Sequence, residues 1–376
     1  MTTGPGHLEV HASVESIASE WDALADATGA APFARPGWYA AWLGAFAGRA
    51  RFELLALRRG PTLVAVLPLL ARHGRLRSPT NWHTPAYPVL AADDAAADEI
   101  LAQLFRLRRW NVTLSFLDPP TAERARGVAS RCGCRVSSHV LLETPYVHLG
   151  TVTERTDPKS RRVLARRRRR LEEQGRVNVR VHSGDQRLDE MMQLWFQIEA
   201  SSWKGRQGDD VLSRTETTRF YLEIARWAAS RKSLLLAFLC LDERPIAFQF
   251  ALDDQSRWHF LKTGYDEQLR SFGPGKLLMA ELLDQARAAG REEVNLGGAA
   301  DPYKLEWTDL VRPYVELQVF APSMTGVAAN VADVHLRPVA GMLLRGARAA
   351  ASRLAFPWSR GPRRYSQNSP PPPDAA

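Results

Sequence analysis

The sequence predicts an α/β (α+β) fold made of two tandem domains, each a mixed, largely antiparallel sheet flanked by helices. The order of strands and helices in the first half of the 376-residue chain is repeated in the second half. Short turn sequences separate strand-like apolar runs, which is typical of antiparallel strands. A chain of this length is also long enough for two domains with separate hydrophobic cores.

The second half carries the clearer pattern. The helical segment 185–203 has apolar residues at helical spacing, among them Met191, Trp195 and Ile198, and the segment 215–232 follows the same rule. The predicted elements are strand 177–182, these two helices, strands 234–241, 246–252 and 257–265, a glycine-rich turn, helix 276–289, strand 293–296, a short helical piece at 303–307 and strand 314–320.

The first half repeats this order without the glycine-rich turn. Its predicted elements are strand 8–11, helices 17–25 and 38–46, the hairpin of strands 52–57 and 63–70, helix 97–107, strand 112–117, helix 121–130 and strand 146–149. Where the second half has its glycine-rich turn, residues 82–88 read Trp-His-Thr-Pro-Ala-Tyr-Pro. Because proline has no N–H donor and no glycine pair is present, we do not expect this half to bind a phosphate. We expect it instead to have a packing role and to shape the acceptor site.

The glycine-rich turn is the most informative motif. Residues 270–275 read Arg-Ser-Phe-Gly-Pro-Gly, between a predicted strand and a predicted helix. Such a turn presents backbone N–H groups at the positive end of the helix dipole, where a phosphate binds, although it can also serve only as a cap. The predicted donor-binding residues are Arg270, Ser271, Phe272, Gly273, Gly275, Lys276 and Leu277.

Residues 8–320 resemble the GNAT superfamily in tandem form. They are similar to the FemABX-like superfamily, and more closely to the bacterial acetyltransferase family named after the cellulose-biosynthesis protein CelD. The segments that carry the resemblance are Pro-Phe-Ala-Arg-Pro-Gly-Trp-Tyr-Ala-Ala-Trp at 32–42, Leu-Pro-Leu at 67–69, Leu-Glu-Glu-Gln-Gly at 171–175, Ser-Ser-Trp-Lys-Gly-Arg at 201–206, Gly-Tyr-Asp at 264–266, Gly-Pro-Gly at 273–275 and Tyr-Lys-x-x-Trp at 303–307.

This resemblance implies two GNAT-like domains, of which the second binds the donor. It implies direct acyl transfer from acetyl-CoA or another acyl-CoA to an amine, with no metal and no covalent intermediate. The implied acceptor is an amine of a sugar, a polysaccharide precursor or a related metabolite. Pro274 departs from the motif because it lacks an N–H, so a donor held in another way, such as an aminoacyl-tRNA, stays open.

Four residues are candidates for acid–base catalysis. Asp301 is the first choice for a general base, and Glu199 is the second, ahead of Glu306. Tyr303 is the candidate acid that protonates the leaving thiolate. The alternative is that Asp301, which precedes Pro302, only caps a helix.

A second set of residues is expected to face the acceptor. They are Trp203, Lys204, Arg206, Lys304 and Trp307. In FemABX-like relatives, the lysine that matches Lys304 helps to bind a phosphate or carboxylate of the acceptor. The alternatives are that Trp307 packs in the core with Tyr303 and that the cationic side chains point to water.

The positive charge of the chain, a formal +9, is concentrated in two places. The run Arg161–Arg170 suits a linker helix held by ion pairs, or a site for a polyanionic acceptor or for the phosphates of a tRNA-borne donor, although a general nucleic-acid partner is not expected. The tail after residue 326 is rich in alanine and arginine, which suggests peripheral contact with anionic lipid, and it contains four consecutive prolines at 370–373. The predicted divisions are 1–150, 151–175 as a basic linker helix, 176–325 and 326–376.

The composition excludes several other classes. Three cysteines are too few for a disulfide framework, and neither they nor the histidines have metal-ligand spacing. No apolar stretch is long enough to span a bilayer, so we expect a cytoplasmic protein. Oligomeric state is open. Three functions therefore stand: an acyl-CoA-dependent N-acyltransferase, a FemABX-type aminoacyl-tRNA-dependent transferase, and a non-catalytic binding protein with a GNAT fold.

Overall fold

One mixed, mostly antiparallel sheet runs through both predicted halves in the computed structural model, which describes residues 6–150, 158–202 and 211–331. The strands of these described residues are β1 (His7–His11), β2 (Arg51–Arg59), β3 (Thr62–Arg72), β4 (Arg75–Arg77), β5 (Leu90–Ala91), β6 (Asn111–Leu117), β7 (Arg135–His148), β8 (Val177–His182), β9 (Leu234–Leu241), β10 (Arg244–Asp253), β11 (Arg257–Tyr265), β12 (Glu293–Asn295) and β13 (Val311–Phe320). All pairs are antiparallel except β4 with β6 and β11 with β12.

The helices flank this sheet, which confirms the predicted α/β class. They are α1 (Ala18–Ala27), α2 (Pro36–Phe46), α3 (Asp94–Arg106), α4 (Pro119–Arg131), α5 (Pro158–Glu172), α6 (Leu188–Ser201), α7 (Thr215–Ser230), α8 (Pro274–Ala288), α9 (Pro302–Leu305) and α10 (Met324–Val331). Local chemistry explains where several begin. The Asp93 and Asp118 carboxylates accept hydrogen bonds from the first turns of α3 and α4, and proline occupies the first turn of α2, α4, α8 and α9.

The last strand joins the two halves. β13 is inserted between β6 and β7 and pairs antiparallel with both. β7 is longer than the predicted strand 146–149, and its last residues, Tyr146–His148, pair with β12 of the second half. The sheet therefore crosses the predicted division at residue 150, and the chain up to Asn330 forms one compact unit.

The larger apolar core also contains residues from both halves. α2 packs on α7, where the Trp38 and Phe220 rings meet edge to face with centroids 5.3 Å apart. Gly37 permits this approach, because a Cβ there would lie 1.9 Å from Nε1 of Trp227. On the opposite face of the second half, α8 covers β9–β12 with Leu278, Leu282 and neighbouring apolar side chains.

Candidate active site

The glycine-rich turn lies where β11 leads into α8. A short 3₁₀ helix, Glu267–Phe272, follows β11, and Asp266 caps it by accepting a hydrogen bond from Gln268 N. Gly273 then adopts φ +65° and ψ +50°, a left-handed conformation that favours glycine, and α8 begins at Pro274. The predicted strand–turn–helix arrangement is present.

The backbone of this turn has fewer open donors than the motif suggests. Gly273 N donates to Arg270 O at 3.0 Å, and the amides of Lys276 and Leu277 both donate to Gly273 O. Pro274 has no N–H. Among the described residues, no acceptor is seen for Gly275 N, so this is the amide in the first turn of α8 that remains for a ligand.

The charged side chains of the turn differ in their surroundings. Arg270 and Ser271 are exposed. The Lys276 ammonium pairs with the Glu306 carboxylate at 2.5 Å, which makes Glu306 a partner of the turn and not a free base. The basic helix α5 packs beside the turn, and the Arg170 guanidinium lies 5.4 Å from the centroid of the Phe272 ring.

The strand before the turn has a short pairing and a bulge. β11 and β12 pair over Arg257–His259 only. β11 then carries a bulge against β10, because Lys262 pairs with Phe250 and Phe260 pairs with Ala251, leaving Leu261 as the extra residue. Bulges of this kind commonly lie beside active sites.

The loop after β12 is held by a buried lysine. Gly297 has φ +65°, and a Cβ there would lie 2.0 Å from the carbonyl oxygen of Phe260. The Lys304 ammonium donates to Gly297 O at 2.7 Å and Ala299 O at 2.9 Å, and it pairs with the Asp301 carboxylate at 2.9 Å. Lys304 is only 6% exposed. Through these contacts Lys304 holds the loop after β12 in place.

The other predicted residues of this loop are split between surface and core. Tyr303 is 39% exposed, yet desolvation of its hydroxyl, with a smaller contribution from the Asp301 charge, raises its pKa. Trp307 is 5% exposed and belongs to the core cluster beneath α8, as the packing alternative states. Asp301 precedes α9 without capping it through its side chain.

A buried polar cluster near the bulge was not predicted as a unit. Glu199, at the end of α6, is buried and accepts a hydrogen bond from Val211 N at 3.3 Å. Burial and the Glu199 charge raise the pKa of Tyr221. The Tyr221 hydroxyl lies 3.2 Å from Nδ1 of His83, and the Lys262 ammonium lies 5.7 Å from the Tyr221 ring centroid.

His83 brings the first half to this cluster. Burial, followed by the charges of Lys262 and Arg214, lowers the pKa of His83 to about 3. The imidazole is therefore neutral at physiological pH. Residues 82–88 thus reach the second half through His83, and their role in shaping the acceptor site stays a prediction. The sequence signal for this cluster is Lys262, a charged residue in the interior of strand β11.

A cavity of about 350 Å³ lies between elements of both halves. Its polar lining includes Asp118, Arg257, His259, Asn295 and Tyr314. Nε2 of His259 is 2.7 Å from the buried Asp254 carboxylate. On the β11 strand His259 stands two residues from Leu261, a distance of roughly 7 Å at the usual rise, so the cavity adjoins the bulge.

Several predicted features lie outside the described residues. Trp203, Lys204 and Arg206 fall in the segment 203–210, and the proposed lipid-binding tail falls beyond Val331. Those predictions stay predictions. Among the described residues, no group of three or more His, Cys, Asp or Glu side chains is arranged to hold a metal ion. No helix of the described ranges is both long enough and apolar enough to cross a bilayer.

Comparisons with known proteins give the following. The family model described as an acetyltransferase (GNAT) domain matches residues 158–305. L-PGS from Bacillus licheniformis is similar in structure, with 15% identity, 81% of this chain and 93% of that chain covered, and a TM-score of 0.54. A conserved protein of unknown function from Bacteroides thetaiotaomicron VPI-5482 has 9% identity, coverage of 84% and 100%, and a TM-score of 0.52. These two similarities show a shared fold.

Two further findings complete the comparison. A tandem GNAT protein from the clavulanic acid biosynthesis pathway has 14% identity, coverage of 84% and 100%, and a TM-score of 0.42. The search of curated proteins finds no match to the chain. The family match begins at Pro158, the first residue of α5, so the basic helix lies inside the matched region.

Proposed function

We propose that this chain, whose residues 158–305 match the acetyltransferase (GNAT) domain model, transfers the acyl group of an acyl-CoA to an amine of a sugar, a polysaccharide precursor or a related metabolite. The observation that carries the proposal is the glycine-rich turn at the start of α8, which follows the bulged strand β11 inside the matched domain. The pantetheine arm would enter between β11 and β12, with the phosphates at the turn.

The proposed reaction is direct transfer. The acceptor nitrogen attacks the thioester carbonyl carbon, a C–N bond forms, the C–S bond breaks, and the coenzyme A thiolate leaves. A base takes the proton from the nitrogen and an acid protonates the thiolate. The backbone N–H groups at the Leu261 bulge are suited to stabilise the oxyanion.

We assign the base to Glu199 ahead of Asp301. The Asp301 carboxylate is already bound to Lys304, whereas Glu199 lies in the buried polar cluster that includes Lys262 of the bulged strand. Tyr303 is the proposed acid, because a phenol hydroxyl is protonated at neutral pH and can donate its proton to the leaving thiolate. The cavity beside the bulge would bind the acceptor, since its carboxylate, amide, phenol and guanidinium groups can hydrogen-bond to hydroxyl-rich molecules.

Calorimetric titration with acetyl-CoA tests the donor. The wild-type protein should bind, and Gly275→Glu should abolish binding, because it places a carboxylate beside the open amide of the turn. Gly184→Glu, at a glycine with open space around it, is the matched control for added charge. Absence of heat with the wild-type protein would reject an acyl-CoA donor, and transfer to a panel of amino sugars would then define the acceptor.

The second candidate is aminoacyl transfer from charged tRNA. The specific observation in its favour is the row of exposed arginines on α5, Arg161, Arg162, Arg166 and Arg169. Binding through phosphates would weaken steeply as salt concentration rises. Tight, salt-sensitive binding of charged tRNA together with no binding of acetyl-CoA would favour this candidate, and binding of neither donor would favour a non-catalytic binding protein.

A further inference from the structure

We propose that the basic helix α5 forms part of the donor site and that the guanidinium groups of Arg167 and Arg170 bind phosphate groups of the acyl donor. The inference rests on the proposed function and extends it, because it assigns a ligand to a helix that the sequence suggested to be a linker. The favoured ligand is coenzyme A, because the arginines contact the glycine-rich turn itself.

The position of α5 is set by its apolar side chains. Leu171 is fully buried and Leu164 packs against the same core cluster beneath α8. Arg167 and Arg170 are three residues apart and adjoin this apolar stripe, so they lie on the side of α5 that faces the turn. Arg169 lies on the opposite side of the helix, about 160° away from Leu171 at 100° per residue.

Both arginines touch the turn. A Cβ at Gly273 would lie 2.6 Å from Nη1 of Arg167, so the guanidinium rests directly against the glycine. The Arg170 guanidinium lies over the Phe272 ring, with its central carbon 5.4 Å from the centroid. The left-handed glycine is therefore bordered by an arginine from a different helix, which the hexapeptide motif alone does not reveal.

The charge balance around the turn favours an anionic ligand. Nearby cations are paired: Arg168 contacts Glu172 at 3.0 Å and Glu281 at 3.2 Å, and Lys276 contacts Glu306. In contrast, within the described part of the chain Arg167, Arg170 and Arg270 make no ion pair with a carboxylate. Three cations near one another repel, and an anion bound among them would relieve that repulsion.

Coenzyme A has the charge to match. Its diphosphate and its ribose 3′-phosphate together carry about four negative charges near neutral pH. The open amide of Gly275 has no net charge and cannot neutralise such a group. Arg270 supplies one positive charge. Arg167 and Arg170 bring the number of unpaired cations to three, and a guanidinium can hold a phosphate through two parallel N–H donors.

The test compares ligands and variants. Arg167→Ala and Arg170→Ala should each weaken acetyl-CoA binding about tenfold or more, as expected for loss of a hydrogen bond between charged groups. Arg169→Ala removes the same charge from the opposite side of α5 and should bind as the wild-type protein does. Arg167→Lys keeps the charge but loses the planar fork, and should bind with intermediate affinity.

Titration with 3′-dephospho-acetyl-CoA locates the contact. If an arginine binds the 3′-phosphate, its alanine variant should lose affinity for acetyl-CoA but not for the dephospho form. If it binds the diphosphate, both ligands should be affected alike. Alanine variants that bind both ligands as tightly as Arg169→Ala does would overturn the proposal.

Inorganic pyrophosphate separates this proposal from the proposed function. It should raise the melting temperature of the wild-type protein and of Arg169→Ala, but not of the Arg167→Ala/Arg170→Ala double variant. If pyrophosphate stabilises the wild-type protein but acetyl-CoA does not bind, the anion site exists and the proposed acyl-CoA function is wrong. In that case, loss of charged-tRNA binding in the double variant would assign the site to tRNA phosphates. No stabilisation by pyrophosphate, or equal stabilisation of the double variant, would overturn the anion site.

Discussion

Replacing His83 with glutamine should reduce the loss of stability that we expect for the wild-type protein below pH 6.5. The pKa of His83 falls from 6.5 to about 3 in the folded state, mainly because the imidazole is buried. Between these pH values the unfolded chain binds a proton that the folded protein excludes. Stability from this group is therefore fully present above pH 6.5 and is lost as the pH falls toward 3.

The expected size follows from the proton count. One excluded proton changes the free energy of unfolding by up to about 1.4 kcal/mol per pH unit, so about 2 kcal/mol should be lost from pH 6.5 to about pH 5. Glutamine keeps a polar group for the Tyr221 hydroxyl but has no proton to exclude. The measurement is urea unfolding followed by tryptophan fluorescence at a series of pH values.

The test of this prediction is the slope of the free energy of unfolding against pH, compared between variants. His139→Gln replaces an exposed histidine and should leave the wild-type slope unchanged. Other groups titrate in the same range, so only the difference between variants is informative. Parallel slopes for the wild-type protein and His83→Gln would contradict the burial argument, and would mean that His83 is accessible to protons in the folded state.

Four further substitutions test the loop and the catalytic assignments. Gly297→Ala should lower stability by several kcal/mol, because the new Cβ meets backbone at 2.0 Å, whereas Gly290→Ala has a similar positive φ with open space and should lose only about 1 kcal/mol, both measured by urea unfolding. Lys304→Met should lower stability by about 1–3 kcal/mol, because two loop carbonyls lose their donor, and an unchanged unfolding midpoint would contradict this. Tyr303→Phe and Glu199→Gln should each reduce kcat by about 10²-fold or more while the acetyl-CoA Kd stays constant, and an equal loss of donor affinity would argue against catalytic roles.

Local signals were sufficient for most of the secondary structure. Helix α7 begins at the predicted residue 215, and α8 begins two residues before the predicted start because proline suits the first turn. The strands 234–241 and 257–265 match β9 and β11. These elements were predictable because apolar periodicity and turn residues depend only on neighbours in the chain.

The missing information concerns contacts between distant segments. Nothing in residues 314–320 indicates that β13 pairs with β6 and β7, since any apolar strand of suitable length offers the same backbone donors. Lys304 was predicted to face the acceptor, but the carbonyls that bind it depend on the left-handed conformations of Gly297 and Gly298. The polar cluster joins His83 to Tyr221 across 138 residues of sequence, and only the folded chain brings them together.

Because β13 of the second half pairs with β6 and β7 of the first half, we predict that the two halves divided at residue 150 do not fold separately. A fragment that starts at residue 151 and ends at Val331 would contain β13 without β6 and β7, the two strands that it pairs with. It would also expose Phe220 of α7, which is fully buried against α2 in the intact chain. An unpaired strand and an open apolar face both favour aggregation.

We therefore expect the fragment 151–331 to lack cooperative unfolding when it is produced alone. Refolding it together with the fragment 1–150 should restore a single unfolding transition and the near-ultraviolet circular dichroism of the intact protein, because β13 can then insert between its partners. Each fragment refolded alone at the same concentration is the control. A second-half fragment that unfolds cooperatively by itself would show that β13 has another stable position within its own half, and the single sheet would then describe a preferred pairing and not a requirement for folding.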